Sequence, residues 1–555
     1  MAHRKSNWYD EDDLDDGYSD DDYDDDYWGE EEDYQDADGN AQEIVTGSRV
    51  MEHHPQQQVK RRGQPVTKSH SSRKIEPHRK DAEPPTGHMK SMGLSDGSFS
   101  LDSGLKSLCD AAAAADGGLD GREVLNLVVL GHVDAGKSTL MGRMLYETGV
   151  VGDREIAKAQ KDAKAIGKGS FAWAWMLDER SEERSRGVTV DVAMARFETP
   201  HKQVTLLDAP GHRDFVPNMI SGASQADAAL VVIDGSDGGF ESGMSAANAA
   251  NPSGGGQTRE HVQLAQSLGI DQVAVVVTKL DTCDDPKNRF EDIKMQMSDF
   301  MKRNGFHDVQ KVQWTIAVGL TGDNLVKPPT STCLSWYTGR TLLETIDAFV
   351  SAPRIVDAPI RLSVTEAYAK GSKNVVASGK VHQGAMKSGT KVTLTPPGES
   401  GTVKSISSNN KAVTLARAGD TVDVTITVSD PVLIHAGSVV CSPSHPVKLA
   451  KKFKAQIIVL DVVIPLLHGQ NVTLHAHVAR ETGVISRILT LVDEHTGEVK
   501  KERPRCLLKG QAAVVEITPS LPMPLETFDD CKSLARIALR DGGRTLAVGK
   551  VLEIE

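Results

Sequence analysis

Lys137 and Ser138 stand near the end of the run Gly131-His132-Val133-Asp134-Ala135-Gly136-Lys137-Ser138-Thr139, a loop framed by glycines that follows the apolar stretch Leu125 to Leu130. A loop of this kind lets backbone N–H groups converge on phosphate oxygens, while the lysine adds a mobile positive charge and the serine hydroxyl reaches Mg²⁺. The helix expected over Met141 to Tyr146 would turn its positive dipole end to the same anion. These residues point to a bound nucleotide phosphate.

Three further segments narrow the nucleotide. The apolar run Val204 to Leu207 ends in Asp208-Ala209-Pro210-Gly211-His212. There a carboxylate can reach the Mg²⁺ shell through water and a glycine N–H can sense a γ-phosphate. Val273 to Val277 leads into Thr278-Lys279-Leu280-Asp281, where Asp281 can accept two N–H bonds from guanine and the Lys279 stem can lie over the nucleotide. Adenine offers no such pair of donors on that edge, so an ATPase or kinase is disfavoured. Gln313 to Val318 ends at Gly319-Leu320, placed to close the base pocket with main-chain N–H groups. Each pocket segment follows an apolar strand, as in a parallel sheet that binds ligands at its strand ends.

A chain of 555 residues accommodates about three to four domains. No apolar run approaches the roughly 20 residues needed to cross a bilayer, which excludes a helical membrane protein. The start Met1-Ala2-His3-Arg4-Lys5 leads into acid rather than an apolar core, so no secretory signal is expected. The six cysteines form no C-x-x-C pair, which suits a reducing compartment without structural zinc. A cytoplasmic location is expected.

Charge is concentrated at one end. Residues 1–33 carry sixteen Asp or Glu against Arg4 and Lys5, a net of −14 that equals the net charge of the whole chain. The segment 1–40 therefore reads as an acidic arm, and five of the eight tyrosines lie in it: Tyr9, Tyr18, Tyr23, Tyr27 and Tyr34. It is either a repelling tail or a segment that folds when its rings dock on a basic partner. Residues 41–121, rich in Gln, Ser, His, Pro and Lys, read as a disordered linker. An α/β GTPase domain is expected over 122–352. Beyond Val350 short β runs with close-spaced turn residues predict one β-barrel over 355–443 and another over 450–555.

The loop Gly131 to Thr139, the segment Gly167-Lys168-Gly169-Ser170-Phe171-Ala172-Trp173-Ala174-Trp175, Arg186-Gly187-Val188-Thr189, Asp208 to His212 and Gly256-Gln257-Thr258-Arg259-Glu260-His261 resemble the elongation factor one-alpha branch of translational GTPases. The resemblance spans Glu123 to Glu555. Within that branch the Tyr- and Asp-rich start, Glu182-Glu183-Arg184 and Thr496-Gly497-Glu498-Val499-Lys500-Lys501 are most similar to the Hbs type.

That resemblance implies a GTPase domain followed by two β-barrels, GTP/GDP and Mg²⁺ as ligands, the ribosome and a Pelota-like protein as partners, and a monomer outside that complex. It further implies Lys137 on the β- and γ-phosphates, Ser138 and Thr189 on Mg²⁺ with Asp208 behind them, Gly211 reporting the γ-phosphate, and His212 orienting the attacking water behind Val133 and Val188. Thr278 stands where the family usually has Asn, and Val318 where it usually has Ser. Alternatives are a class II release factor GTPase and a GTP-binding adaptor to RNA decay that does not hydrolyse.

Overall fold

The computed structural model describes residues 101–114, 122–178, 183–184, 188–246, 255–306, 308–408, 411–460, 462, 464–493 and 496–555. The acidic arm, most of the expected linker and the pair Arg186-Gly187 lie outside these residues.

Six strands form the central sheet of the first domain: β1 Glu123–Gly131, β2 Ala193–Glu198, β3 Lys202–Asp208, β4 Ala228–Asp234, β5 Gln272–Thr278 and β6 Gln313–Ala317. Their order is β2-β3-β1-β4-β5-β6, antiparallel only at β2 against β3 and parallel elsewhere. The parallel strands are buried on both faces, which is why they read as continuous apolar runs rather than alternating ones. One face packs Leu125, Leu127 and Val129 with Leu140, Met141 and Met144, and the other packs Val128 and Leu130 with Met219, Val262 and Ile293. Burying each such side chain contributes about 1.5–3 kcal/mol. The sheet thereby fixes the strand ends from which the loops at Gly131, Asp208, Thr278 and Val318 emerge.

Helix α2, Lys137–Glu147, starts directly after Gly136, whose φ of 88° is left-handed and suits glycine. Helix α3, Asp153–Ala165, leads to the turns carrying Gly169 to Trp175. This segment closes on α2: Arg143 lies 4.5 Å over the Trp173 ring, and a Cβ on Gly142 would meet the Trp173 carbonyl at 1.9 Å. Only glycine permits that approach.

The two remaining domains are closed antiparallel barrels. In the second domain Lys391–Thr395 pairs with both Val439–Cys441 and Glu399–Ser408, completing the ring that runs through Arg361–Ala369, Asn374–Gln383 and Thr421–Thr427. In the third, Asn471–Ala476 pairs with both Ala479–Val492 and Arg536–Asp541. Phe453–Val459 shows the expected alternation, with Phe453, Ala455, Ile457 and Val459 inside. The barrels meet at the buried ion pair Arg361–Glu526, 2.6 Å.

The structure differs from the expected 41–121 linker at its end, where Ser103–Ala114 forms helix α1. The run Ala111 to Ala115 favours helix intrinsically. Leu105 and Cys109, four residues apart on one face, pack against Ala385 of the second domain. Tertiary contact thus orders a segment whose apolar periodicity is too short to stand out alone. None of the described helices is long and apolar enough to cross a membrane.

Four histidines, three of them buried and His382 partly buried, are held neutral. Burial pushes His261, His382 and His475 down to about 3 and His477 down to about 4. The unfolded chain takes up these protons near the ordinary 6.5, so the stability they contribute is complete above that pH and is lost as pH falls toward 4. Each acts with a slope approaching about 1.4 kcal/mol per pH unit. Asp178 and Asp208, pushed up to about 7 and about 6, act in the opposite sense without cancelling the four. Urea melts between pH 6.5 and 4.5 are expected to show falling stability on acidification. His382→Gln should remove about one proton from that slope.

Candidate functional site

The loop from Gly131 to Thr139 is braced on several sides. Gly131 approaches β4 so closely that a Cβ would sit 2.3 Å from the Val232 carbonyl. Its N–H donates to His261 Nδ1 at 3.3 Å, and the His132 N–H donates to Thr258 Oγ1 at 3.1 Å. Both acceptors stand on the helix Gln257–Ser267. Asp134 adopts a φ of 60°, and Ala135 is buried with its carbonyl accepting from Thr278 Oγ1 at 2.9 Å.

Lys137 is buried, with Nζ donating to the carbonyls of His132 at 2.8 Å and Gly131 at 3.2 Å. Burial pushes its pKa down to about 8, against the opposing pull of Asp208 and Asp134. At neutral pH it remains largely cationic. Gly211 lies directly beneath it: a Cβ there would meet Lys137 Nζ at 2.3 Å and the Val133 nitrogen at 3.1 Å. The absence of a side chain at 211 brings the loop after β3 against the phosphate loop.

Ser138 Oγ and Thr189 Oγ1 are 3.0 Å apart, and Thr189 reaches Asp178 Oδ1 at 3.4 Å. Asp208, at the end of β3, is fully buried, and among the described residues neither carboxylate oxygen has a hydrogen-bond partner. Burial pushes it up to about 6, partly offset by the Lys137 charge and by the Ser138 hydroxyl, which lies near without reaching hydrogen-bond geometry. An unpartnered buried carboxylate is costly unless something neutralises it. With two hydroxyls facing each other beside it, the donor set is all oxygen and fits Mg²⁺ with its waters.

Val133, Asp134, Gly136, Lys137, Ser138, Thr139, Val188, Thr189 and Gly211 share one cleft with Phe171, Ala174 and Asp178. His212 is not among its walls. It starts the turn Arg213–Phe215, accepts the Asp214 N–H on Nδ1 at 3.2 Å and leaves 45% of its side chain exposed.

The base side is assembled from three strands. Lys279, with a left-handed φ of 58°, crosses to the Asp134 carbonyl at 2.6 Å and pairs with Asp234 at 2.7 Å. Asp281 lies exposed in the turn Leu280–Thr282. Thr278 is buried, bonding the carbonyls of Ala135 and Ile233. Its hydroxyl thus braces the loop of residues 131–139 from a position where the resemblance implies an amide. Val318 closes a bridge with Asp323, Gly319 packs on α2 with room for a Cβ only 3.2 Å from the Leu140 Cα, and Leu320 is exposed.

Comparison with known proteins gives the family. Residues 122–352 match the elongation factor Tu GTP binding domain, and residues 452–552 match the GTP-eEF1A C-terminal domain-like family. Elongation factor 1-alpha of Metallosphaera sedula is 39% identical over 433 residues, 78% of this chain and 97% of that protein. The chain belongs to the elongation factor 1-alpha family. Protein HBS1 of Drosophila melanogaster is 43% identical over 436 residues, 78% of this chain and 64% of that longer protein. Within this family the chain is thus similar to the Hbs1 branch over 64% of that relative's length. The Ski7 GTPase-like domain of S. cerevisiae shares the fold, with a TM-score of 0.63, 18% identity, and coverage of 77% of this chain and 97% of that one.

Two features of this family member were not singled out from sequence. Asp234, at the end of the unrecognised β4, anchors Lys279. The apolar run Ala228 to Ile233 before it was the available signal. Asp178, pushed up to about 7 by burial and by the neighbouring Asp208 and Glu183, faces the Ser138–Thr189 pair. It follows no apolar strand, so no local pattern marked it.

Proposed function

We propose that this translational GTPase acts with a Pelota-like decoding-site protein on stalled ribosomes, hydrolysing GTP there to promote rescue and mRNA quality control. The observation that carries this reading is the 43% identity to HBS1, sustained over 436 residues and so across the GTPase domain and both barrels. A cytoplasmic monomer that meets the ribosome through this partner fits the Hbs-type resemblance.

The chemistry is phosphoryl transfer to water, in which positioning and charge neutralisation do most of the work. Lys137 and the amides of residues 131–139 hold the β- and γ-phosphates. Ser138 and Thr189, with Asp208 behind them, would hold Mg²⁺, which would supply charge neutralisation at the phosphate oxygens. Gly211 turns its N–H to the γ-phosphate. His212, outside the cleft with Val133 and Val188 on its wall, swings in on the ribosome to orient the attacking water. Loss of the γ-phosphate frees the segments around Thr189 and Gly211, which releases the partner. Asp281 accepts the guanine N–H groups, and the main chain of Val318, Gly319 and Leu320 closes over the base.

A pull-down of the full-length protein from cell extract, loaded with a non-hydrolysable GTP analogue, is expected to recover ribosomes and a Pelota-like protein. Recovery of a class I release factor in its place, or of no ribosomes, overturns the assignment.

A further inference from the structure

The GTPase domain and the second domain are joined by more than their sequential linker. Lys380 Nζ of the second domain donates to Asp227 at 2.7 Å and to the Gln225 carbonyl at 2.6 Å. Asn126 Nδ2 on β1 donates to the Gly419 carbonyl at 3.0 Å, and Thr421 Oγ1 returns a bond to Asn126 Oδ1 at 3.2 Å. The linker itself is pinned by Arg354 to Asp420 at 2.7 Å and by the Gly384 N–H on the Ile355 carbonyl at 2.7 Å.

Helix α1, continuous in the chain with β1 and docked non-covalently on the second domain, adds a second attachment between the same two bodies, and it lies outside both family-matched spans. Its buried residues Leu105 and Cys109 pack on Ala385, with Leu101, Val356 and Leu415 around them, and Asp102 faces Lys387 at 3.8 Å. Only residues 115–121 separate its end from Arg122 at the entrance to β1, a stretch that spans at most about 30 Å when fully extended. A body held by one linker can swing about it. A body held at two separated points swings only as far as the slack in the second tether allows, and parts further only if one attachment yields.

We propose that α1 is a strap that fastens the second domain to the GTPase domain and must undock before the two can part. The docked face is small, with Leu105 and Cys109 as the buried side chains among the described residues of the helix and most of the others exposed. An isolated helix of 12 residues is marginal in water, so the strap is ordered by docking and is lost with it. Such a contact belongs to the weak end of the local-opening range, where a switch element must lie.

The test needs no partner and is separable from the rescue assignment. The full-length protein, with GDP and separately with a non-hydrolysable GTP analogue, is treated with N-ethylmaleimide, and labelling is followed peptide by peptide. In at least one nucleotide state Cys109, 3% exposed, should react at least about tenfold more slowly than the exposed Cys333. Leu105→Asp should abolish that protection. In the same variant, amide exchange in 225–228 and 417–423 should rise by about tenfold, while strand Ala512–Pro519 of the third domain stays unchanged. Removal of residues 1–114 should reproduce the change in exchange. The proposal is overturned if Cys109 reacts as fast as Cys333 in both nucleotide states, or if freeing the helix leaves exchange at the interface as it was.

Discussion

His212→Ala is expected to lower ribosome-stimulated GTP turnover by about 10²–10⁴-fold, the range for a positioned group that handles the attacking water. GTP affinity should be unchanged. The separation follows from geometry: His212 does not line the cleft that holds Lys137, Ser138 and Thr189, and its ring is half exposed in the turn before Asp214. Its side-chain contacts among the described residues are with Asp214 and Phe215 rather than with the cleft. Single-turnover assays with ribosomes and partner, paired with equilibrium binding of a fluorescent GTP analogue, read the two effects apart. Stimulated turnover equal to that of the unaltered protein would remove His212 from the chemistry.

Lys137→Ala is expected to weaken GTP by about 10²–10³-fold, the loss of two charge-assisted phosphate contacts at about 1.5–3 kcal/mol each, reduced by their partial replacement with water. Folding should not suffer in parallel. The ammonium is buried and its pKa is pushed down to about 8, so its charged form is held at a cost that alanine removes. The nucleotide-free variant should therefore melt close to the temperature of the parent, relief of that cost being set against the Gly131 and His132 carbonyls that lose their donor. Titration of GTP against both proteins, with a thermal melt of each, checks the pair of outcomes. Affinity within threefold of the parent would place the phosphates elsewhere.

The parts legible in the sequence are those where chain-local chemistry and strand burial coincide. Asp208 and Thr278 each end a strand buried on both faces, so an apolar run pointed at each. The two barrels were legible from alternation and turn glycines, as at Phe453–Val459. What escaped depends on distant contacts. The bulk of β2, Ala193–Glu198, is an edge strand of mixed burial, so its pattern is weak. Helix α1 acquires its order from Ala385, nearly three hundred positions away. The brace from Thr278 to Ala135 is likewise invisible locally: the sequence showed a missing amide, whereas the fold shows a hydroxyl serving the same loop. The pairing of Lys279 with Asp234 joins two strand ends that only the parallel register sets side by side.

The central claim is a guanine-selective triphosphate pocket, and competition between GTP and ATP for the purified full-length protein tests it most directly. With Mg²⁺ present, calorimetric titration should show GTP binding at least about 10³-fold more tightly than ATP, because a carboxylate that loses both base donors is left unpaired. Asp281→Ala should erase most of that preference. Equal affinity for the two nucleotides, or binding of neither, would contradict the account.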